Sequence, residues 1–361
     1  MVHYTNVFLE SVPIDWLLEG GSFVRYRTLM DLLGLDSDNE QVWQARQEIP
    51  QDPGIQRILA KRNKLGYWGT PRDIFTWWPR KDTTFWLLGV LADFGLRRDD
   101  WEIGRACEYV FSTQLPGGAF GLRPPPKPYD CFTGILSESL AKLGYLGDQR
   151  LEQAYAWLAK RQRLDGGFWC KDTGQPGGPR QDEPSCAFGT LCALGALAVH
   201  PRLRDSETAK VGAQFLLRCW ENKGKIRYAG HDSQIGTGWE KLKYPFTDYR
   251  ILKYLDALAQ LSYVRNDPRL VDMAELLISK RDEQGRFQPE SVHRVYADFD
   301  FGQKNRPSRW ITFLAYRILK RILVGGELSE SSPHGWGSAK HLPCWPPCHN
   351  GKERHSAWNH H

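Results

Sequence analysis

The sequence predicts an all-α fold, an (α/α)6 toroid in which helix pairs pack as an inner and an outer layer. Turns of glycine followed closely by an aromatic residue recur at intervals of 49 to 61 residues, at Gly66, Gly118, Gly167, Gly224 and Gly285. A polar loop, an apolar segment of helical length and, in most repeats, an amphipathic segment follow each turn. Repeats that bury each unit against its neighbours are typical of helical rings and solenoids.

Six apolar segments are predicted as inner helices, since leucine, alanine, isoleucine and aromatic residues dominate them. They span residues 23–33, 83–94, 132–143, 185–199, 247–261 and 308–323. Each ends at a glycine or a polar break, and a glycine just beyond a helix adopts the left-handed cap at little cost. The inner layer is therefore expected to be almost entirely apolar.

Five amphipathic segments are predicted as outer helices, because their apolar residues recur at helical spacing between charged ones. They span residues 38–64, with a break near Pro50 and Pro53, and then 99–114, 148–162, 205–221 and 268–281. Residues 5–19 would be the outer partner of the last inner helix. Six pairs are enough to close a ring, which we favour over an open solenoid of the same pairs.

Composition and charge exclude several classes of protein. The chain has 361 residues, of which 41% are hydrophobic and 25% charged, as in ordinary globular domains. It has no apolar run of about 18 residues, so no transmembrane segment is expected. The net charge of +6 comes without a basic block, which argues against nucleic-acid binding. Eight cysteines and no visible export signal predict free thiols and a cytoplasmic location.

The predicted toroid comprises residues 1–326 as a single domain, and residues 327–361 form an irregular tail. The tail contains six of the ten histidines and the sequence Cys344-Trp-Pro-Pro-Cys348-His349, without helical periodicity. His341 together with these cysteines and His349 could bind a metal, although the Cys-x3-Cys-His spacing alone is weakly specific. A tail that is not part of the folded domain explains the same pattern.

The glycine-aromatic turns resemble those of the prenyltransferase and squalene-oxidase repeat superfamily over residues 15–323. The resemblance is carried by Leu-Asp-Gly-Gly-Phe-Trp at 164–169, followed by Cys-Ala-Phe-Gly-Thr at 186–190. It implies an α/α toroid like those of terpene cyclases and protein prenyltransferase β-subunits. It implies the fold more firmly than an activity, since one fold hosts several chemistries.

The catalytic motifs implied by that resemblance are only partly present. The Asp-x-Asp-Asp acid motif of class II terpene cyclases is absent, and the nearest string is Asp298-Phe299-Asp300-Phe301. Protein prenyltransferases bind zinc through an Asp-x-Cys pair and a later histidine, whereas Asp130 and Cys131 are adjacent here. Neither catalytic role is therefore transferred to this chain.

Four acidic residues lie at or next to predicted inner-helix starts: Asp82, Asp130, Asp182 and Asp248. Aspartate is a favoured helix cap, which accounts for each of them separately. In a closed ring with parallel inner helices, however, all the starts meet at one end, which we call the mouth. Carboxylates crowded there would raise one another's pKa, so the four are candidates for a catalytic or metal-binding role.

The predicted mouth is also basic and aromatic. Its basic residues are Arg80, Lys81, Lys127, Arg180, Lys243, Arg306 and Arg309. Loop solubility and salt bridges to the acids would explain them, but with the positive ends of the helix dipoles they also suit an anion. The aromatic candidates for ligand binding are Trp77, Trp78, Trp86, Phe132, Phe188, Tyr249 and Trp310. Such rings either fill a wide core or line an apolar pocket, where they can stabilise carbocations.

A zinc site is also predicted at the mouth from Cys131, Asp182 and Cys186. Asp182 and Cys186 are four residues apart and so share a helix face, and Cys131 begins the neighbouring inner helix. The alternative is two small buried thiols and a helix cap.

The sequence is compatible with three functions. The first is a terpene cyclase-like or prenyltransferase-like protein that binds an isoprenoid-type ligand with an anionic head in the central cavity. The second is a non-catalytic binding or scaffold toroid that has lost the catalytic motifs. The third is a carbohydrate-active toroid, in which tryptophans stack on sugars and two acids act in hydrolysis, although the glycine-aromatic turns argue against it.

Overall fold

The computed structural model describes residues 12–100, 103–170, 183–226, 228, 238–248 and 250–323. Six helices form its inner layer, and two of them continue into a π-helical turn. They are α2 (Ser22–Arg27, continued by Thr28–Leu32), α6 (Thr84–Phe94), α8 (Asp130–Leu140, continued by Ala141–Tyr145), α10 (Ala187–Val199), α12 (Ile251–Leu258) and α14 (Arg309–Leu323). All six predicted inner helices are thus present in the described residues.

The outer layer packs around them, one helix or broken helix to each inner helix. It comprises α1 (Ile14–Leu18), α3 (Glu40–Glu48), α4 (Pro53–Ala60), α7 (Ile103–Ser112), α9 (Gln149–Ala159), α11 (Glu207–Glu221) and α13 (Pro268–Ser279). Two short elements connect an outer helix to the next inner helix. They are α5 (Pro71–Ile74), before α6, and a hairpin of β1 (Gly121–Leu122) and β2 (Lys127–Pro128), before α8. The hairpin pairs Gly121 with Pro128 in antiparallel register.

The inner helices contact one another in chain order and close into a ring. Contacts join α2 to α6, α6 to α8, α8 to α10, α10 to α12 and α12 to α14, and α14 returns to α2. The outer helix α1 packs on α14, which is the partner predicted for the N-terminal segment. These contacts support the closed toroid over the open solenoid.

The tightest helix pair in this ring is α8 with α10, and small residues make it possible. Nearly every side chain of α10 is buried. A Cβ on Gly134 of α8 would lie 2.5 Å from the carbonyl oxygen of Cys192 in α10, which no real side chain tolerates. Glycine is therefore required at this crossing, because only its missing side chain lets the two backbones meet.

The expectation of an almost entirely apolar inner layer is wrong. Charged side chains lie on the inner helices and pair with one another across the ring. Asp93, Glu138, Lys253, Asp256 and Arg317 are buried, and Lys142 is half-buried beside them. Lys253 Nζ of α12 donates to Glu138 of α8 at 2.5 Å, and Lys142 Nζ donates to Glu138 and Asp93 at 2.8 and 2.9 Å. Buried charges persist when they are paired and hydrogen-bonded in this way.

The charged group extends to the last inner helix. Arg317 and Arg321 of α14 donate to Asp256 Oδ1 at 2.8 and 3.0 Å. Burial alone would raise the pKa of Asp256, but the two guanidinium groups and nearby lysines hold it well below its usual value. We call Asp93, Glu138, Lys142, Lys253, Asp256, Arg317 and Arg321 the ion network. It links α6, α8, α12 and α14.

The predicted division of the chain at residue 326 stays a prediction, because residues 324–361, including His341, Cys344, Cys348 and His349, lie outside the described part. Within the described ranges, no helix has both the length and the apolar character needed to cross a membrane.

Candidate functional site

The loops that lead into the inner helices bring seven aromatic rings together. Successive ring centroids lie 4.5 to 6.2 Å apart, so each ring contacts the next. In order of contact they are Trp77, Tyr129, Phe132, Phe85, Trp86, Trp78 and Phe188. We call these seven residues the aromatic chain. It joins the starts of α6, α8 and α10.

Two members of the aromatic chain face solvent. Trp77 and Trp78 expose 49% and 47% of their surface, whereas Trp86 and Phe132 are buried. Trp86 is fixed by a 3.0 Å hydrogen bond from its Nε1 to the carbonyl oxygen of Pro79. A half-exposed pair of indoles above buried rings is an accessible apolar surface suited to ligand binding.

Lys81 lies between two indole rings of the aromatic chain. Its Nζ is 4.1 Å from the centroid of Trp78 and 3.9 Å from that of Trp86, within the range of cation–π attraction. The atom is buried and has no hydrogen-bond partner among the described residues. Burial lowers the pKa of Lys81 to about 7, against the opposing effect of Asp248. Its amine is therefore neutral for part of the time at physiological pH.

Residues that precede α12 and α14 complete the surroundings of Lys81. Tyr296 donates from its hydroxyl to the Lys81 carbonyl oxygen at 2.6 Å and so holds the loop in place. His293 Nε2 lies 2.7 Å from Thr247 Oγ1. Burial, together with the charge of Lys243, lowers the pKa of His293 to about 4, so this ring is neutral near pH 7. We call Lys81, Lys243, Asp248 and His293 the polar patch.

The predicted acids of the mouth each have a basic partner where the structure describes them. Asp82 pairs with Arg80 at 2.7 Å, and the fully buried Asp130 accepts from Arg161 Nε at 3.0 Å. Asp248 pairs with Lys243 at 3.0 Å and lies 3.3 Å from Arg250. A proton-donating role for these acids stays a prediction. Asp182 and Arg180 lie outside the described residues.

The remaining predicted ligand-binding residues fall into separate surroundings. Trp310 is fully buried with Phe94 and Tyr244, at centroid distances of 5.2 and 5.5 Å, in a second aromatic group. Arg306 is exposed, and Tyr249 lies outside the described residues. The backbone N–H of Trp310 binds Asp300 Oδ2 at 3.2 Å, and Asp298 pairs with Arg57. The two acids of the Asp-Phe-Asp string thus have structural partners.

Arg309 joins the two ends of the ring. Its Nε donates to the carbonyl oxygen of Trp16 at 2.7 Å, and its guanidinium lies 3.3 Å from Glu19. Trp16 belongs to α1, so the contact fastens the first outer helix to the last inner one. These contacts make Arg309 a structural clasp between α1 and α14.

We expect Arg309→Gln to lower the free energy of unfolding by about 1–2 kcal/mol, since it removes a charged hydrogen bond and a half-exposed ion pair. Binding of an anionic ligand should not change. Urea unfolding and calorimetric titration measure the two effects, with Arg306→Gln as the exposed control. Weaker ligand binding at unchanged stability would restore Arg309 to the ligand site.

The two cysteines predicted to bind zinc, Cys131 and Cys186, are buried thiols in this structure. Cys131 Sγ lies 3.6 Å from Cys170 Sγ, and Cys186 Sγ accepts the Gly189 N–H at 3.2 Å as a helix cap. Burial raises the pKa of Cys186 to about 12, which favours the thiol over the metal-binding thiolate. Among the residues described, no group of three or more histidine, cysteine or acidic side chains could hold a metal ion.

Zinc at Cys131, Asp182 and Cys186 therefore stays a prediction, since Asp182 is not described. Elemental analysis of a chain ending at Gly326 tests it without interference from the tail. We expect zinc near one equivalent if the site exists, and its loss in Cys186→Ala. Absence of zinc from the shortened chain would reject the site and leave the cysteines as packing residues.

Sequence reasoning included Lys81 only as one of several basic residues and missed His293. Lys81 follows Arg80 directly, and nothing in the local sequence separates the exposed cation from the buried one. His293 lies in a loop without a motif. The only available signal was the density of tryptophan around Lys81, with Trp77, Trp78 and Trp86 nearby.

Comparisons with known proteins identify the family and the fold of this chain. The squalene-hopene cyclase C-terminal domain family matches residues 72–266, more than half of the chain. No curated protein matches the sequence. A polysaccharide lyase is similar in structure at a TM-score of 0.50 and 12% identity, over 91% of this chain and 99% of the lyase. That likeness supports the toroid and says nothing of activity.

Two further solved structures are similar at lower scores. The type II terpene cyclase MstE from Scytonema has a TM-score of 0.45 and 16% identity, over 80% of this chain and 81% of that one. A protein from Actinoplanes has a TM-score of 0.42 and 15% identity, over 84% and 89%.

Proposed function

We propose that this chain, which belongs to the squalene-hopene cyclase C-terminal domain family, binds an isoprenoid-type ligand with an anionic head at the mouth of its toroid. The observation that carries the proposal is Lys81 Nζ, which is buried between two indoles and has no hydrogen-bond acceptor among the residues that the structure describes. An anionic head would supply that acceptor. Its apolar tail would lie on the aromatic chain.

The head is assigned to Lys81 because its amine is buried beside the indoles, whereas three other cations of the mouth already have carboxylate partners. Arg80, Lys243 and Arg309 pair with Asp82, Asp248 and Glu19. An anion at Lys81 would need no existing pair to break, and it would favour the charged amine. A charge-assisted hydrogen bond in a partly dry site is stronger than one between neutral groups.

The tail is assigned to the mouth and not to the axis of the ring. Below the mouth, the ion network and the buried group around Trp310 and Tyr244 occupy the inner layer. The hydroxyl of Tyr244 donates to Asp93 at 3.1 Å and so connects the two. An apolar tail gains nothing beside paired charges, whereas Trp77 and Trp78 offer it exposed indole surface.

The proposal is binding, without a committed reaction. The chain lacks the Asp-x-Asp-Asp motif, and a non-catalytic toroid of the same fold would bind such a ligand equally well. A reaction that begins with proton transfer would need a donor, and Asp82 and Asp248 of the mouth are engaged with Arg80 and Lys243.

Equilibrium dialysis with farnesyl diphosphate and with farnesol tests the proposal. We expect the diphosphate to bind more tightly than the alcohol, and Lys81→Met to remove that preference. Trp78→Ala should weaken both ligands, while Trp43→Ala, at an exposed tryptophan of α3, should change neither. Affinity for the diphosphate should fall as the pH rises above about 7, since Lys81 must take up a proton.

Two results would overturn the proposal. One is equal, weak binding of both ligands by the wild type and Lys81→Met. The other is retention of an oligosaccharide at the same tryptophans, which would favour a carbohydrate-binding toroid.

A further inference from the structure

We propose that Lys81 is also a reactive amine, which forms an imine with the carbonyl carbon of an isoprenoid aldehyde or ketone. The inference rests on the proposed function for recognition of the apolar tail. It adds a covalent step at the head and a second class of ligand for the same site.

The first support is the contrast between Lys81 and three other lysines on or before the inner helices. Lys142, Lys243 and Lys253 each donate to a carboxylate at 2.5 to 3.0 Å. Lys81 Nζ has no such partner in the described residues. An amine without a carboxylate loses its proton most easily, and only the neutral amine carries the lone pair that attacks a carbonyl.

The second support is the apolar position of the amine. Trp78 and Trp86 cover two sides of Nζ, so the attacking atom lies where an apolar ligand would rest. Trp78 is half exposed, and movement of its ring would admit the carbonyl. Indole faces attract a charged amine, but burial dominates and keeps part of the population neutral near pH 7.

The reaction balances without an oxidant or a cofactor. The lone pair of Nζ attacks the carbonyl carbon, a C–N bond forms, and the carbonyl oxygen takes up a proton. The carbinolamine then loses water as the C=N bond forms, so amine and carbonyl give imine and water. The water leaves toward the exposed side of the mouth.

The polar patch sets the charge around the reacting amine. The charge of Asp248 favours the ammonium form of Lys81, whereas burial and the charge of Lys243 favour the neutral amine. Burial and Lys243 also lower the pKa of His293 to about 4, so its ring adds no positive charge near pH 7. Since Nζ has no hydrogen-bond partner among the described residues, the nitrogen releases its protons to water at the exposed side of the mouth, and water supplies the proton that the oxygen takes up. We assign the covalent bond to Lys81 and an electrostatic role to these neighbours.

Reductive trapping tests the inference. The full chain is incubated with farnesal and sodium cyanoborohydride, and modified lysines are located by peptide mass spectrometry. At pH 7 an exposed lysine is neutral to only roughly one part in a few thousand. We therefore expect Lys81 to react about tenfold or more faster than the exposed Lys210.

Three comparisons make the result specific. Lys81→Arg keeps the charge and should lose the adduct, and Lys81→Met should lose it as well. Propanal lacks the tail and should show little preference for Lys81. Labelling should speed up from pH 6 to pH 8, which is opposite to the trend for binding of the diphosphate, and farnesyl diphosphate should protect Lys81.

The outcomes separate the two proposals. If farnesyl diphosphate binds but Lys81 reacts no faster than Lys210, the reactive amine is rejected and the proposed function stands. If farnesal labels Lys81 while the diphosphate does not bind, the anionic head is rejected and the imine stands. If neither probe distinguishes Lys81, both proposals fail.

Discussion

Glu138→Gln should lower the free energy of unfolding by about 3–5 kcal/mol, because it leaves a buried ammonium without its counter-charge. Glu138 receives Lys142 at 2.8 Å and Lys253 at 2.5 Å, and both carboxylate oxygens are used. Lys142 keeps Asp93 as a partner, but Lys253 has no other carboxylate within hydrogen-bond distance among the described residues. Most of the lost stability should therefore come from Lys253, which is left buried without a counter-charge.

A double-mutant cycle isolates that cause. Lys253→Met alone should also destabilise the fold, whereas Glu138→Gln combined with Lys253→Met should recover much of the loss. Glu108→Gln is the matched control, since Glu108 pairs with Arg150 at the surface and should cost less than about 1 kcal/mol. A cost for Glu138→Gln no larger than that of the control would show that the network contributes little.

The pH dependence of stability follows from the contacts of Glu138 with Lys142 and Lys253. Burial alone would raise the pKa of Glu138, but Lys142 and Lys253 outweigh it and hold that pKa below its usual value. The stabilisation is thus present above the unfolded pKa of about 4.3 and is lost as the pH falls further. The difference between wild type and Glu138→Gln should narrow in acid, as urea titrations at a series of pH values would show.

The toroid was predictable because its signals are local. Glycines such as Gly66, Gly166 and Gly285 take positive φ values at the turns between layers, and the apolar runs beside them are continuous in sequence. Helix α6 begins at Thr84 where residue 83 was predicted. By contrast, α12 begins at Ile251 and not at 247, because Thr247 binds His293 and stays in the loop.

The ion network was not predictable for the opposite reason. Glu138 and Lys253 are 115 residues apart, and each looks like an isolated charge on an apolar helix. A Cβ on Gly195 of α10 would lie 2.6 Å from Glu138 Oε2 and 3.0 Å from Lys253 Nζ. The pair therefore passes over a helix that has no side chain at that point, and such a gap appears only in the folded ring.

The site was predictable in its aromatic part and not in its charges. Trp77, Trp78, Trp86 and Phe132 come together because they lie just before or within the first turns of neighbouring inner helices, whose adjacency the repeat pattern already implied. The partners of Arg309 and Asp130 depend on loops and outer helices whose paths the sequence does not specify. The choice of Lys81 over Arg80 as the buried cation depends on the loop conformation in the same way.

Lys81→Met should stabilise the fold while it abolishes the preference for an anionic ligand. Wild-type Nζ is a buried polar group without a hydrogen bond to any described residue, which costs about 1–3 kcal/mol, and a methionine side chain fills similar space between the two indoles. Functional sites often retain such unfavourable groups at the expense of stability. Arg80→Met, at an exposed neighbour, should leave stability nearly unchanged.

The stability that Lys81→Met gains should decrease as the pH rises. Folding lowers the pKa of Lys81 from its ordinary value of about 10.4 to about 7, so the unfolded chain binds more protons between these limits. The cost of burying Lys81 is fully present below pH 7 and disappears as the pH rises toward 10. The stability advantage of Lys81→Met should therefore be largest at pH 6 and shrink by pH 9, as measured by urea unfolding at each pH. An advantage that does not change with pH would mean that the buried amine stays charged in the folded state. A loss of stability at every pH would mean that the cation–π contacts with Trp78 and Trp86 hold the mouth together.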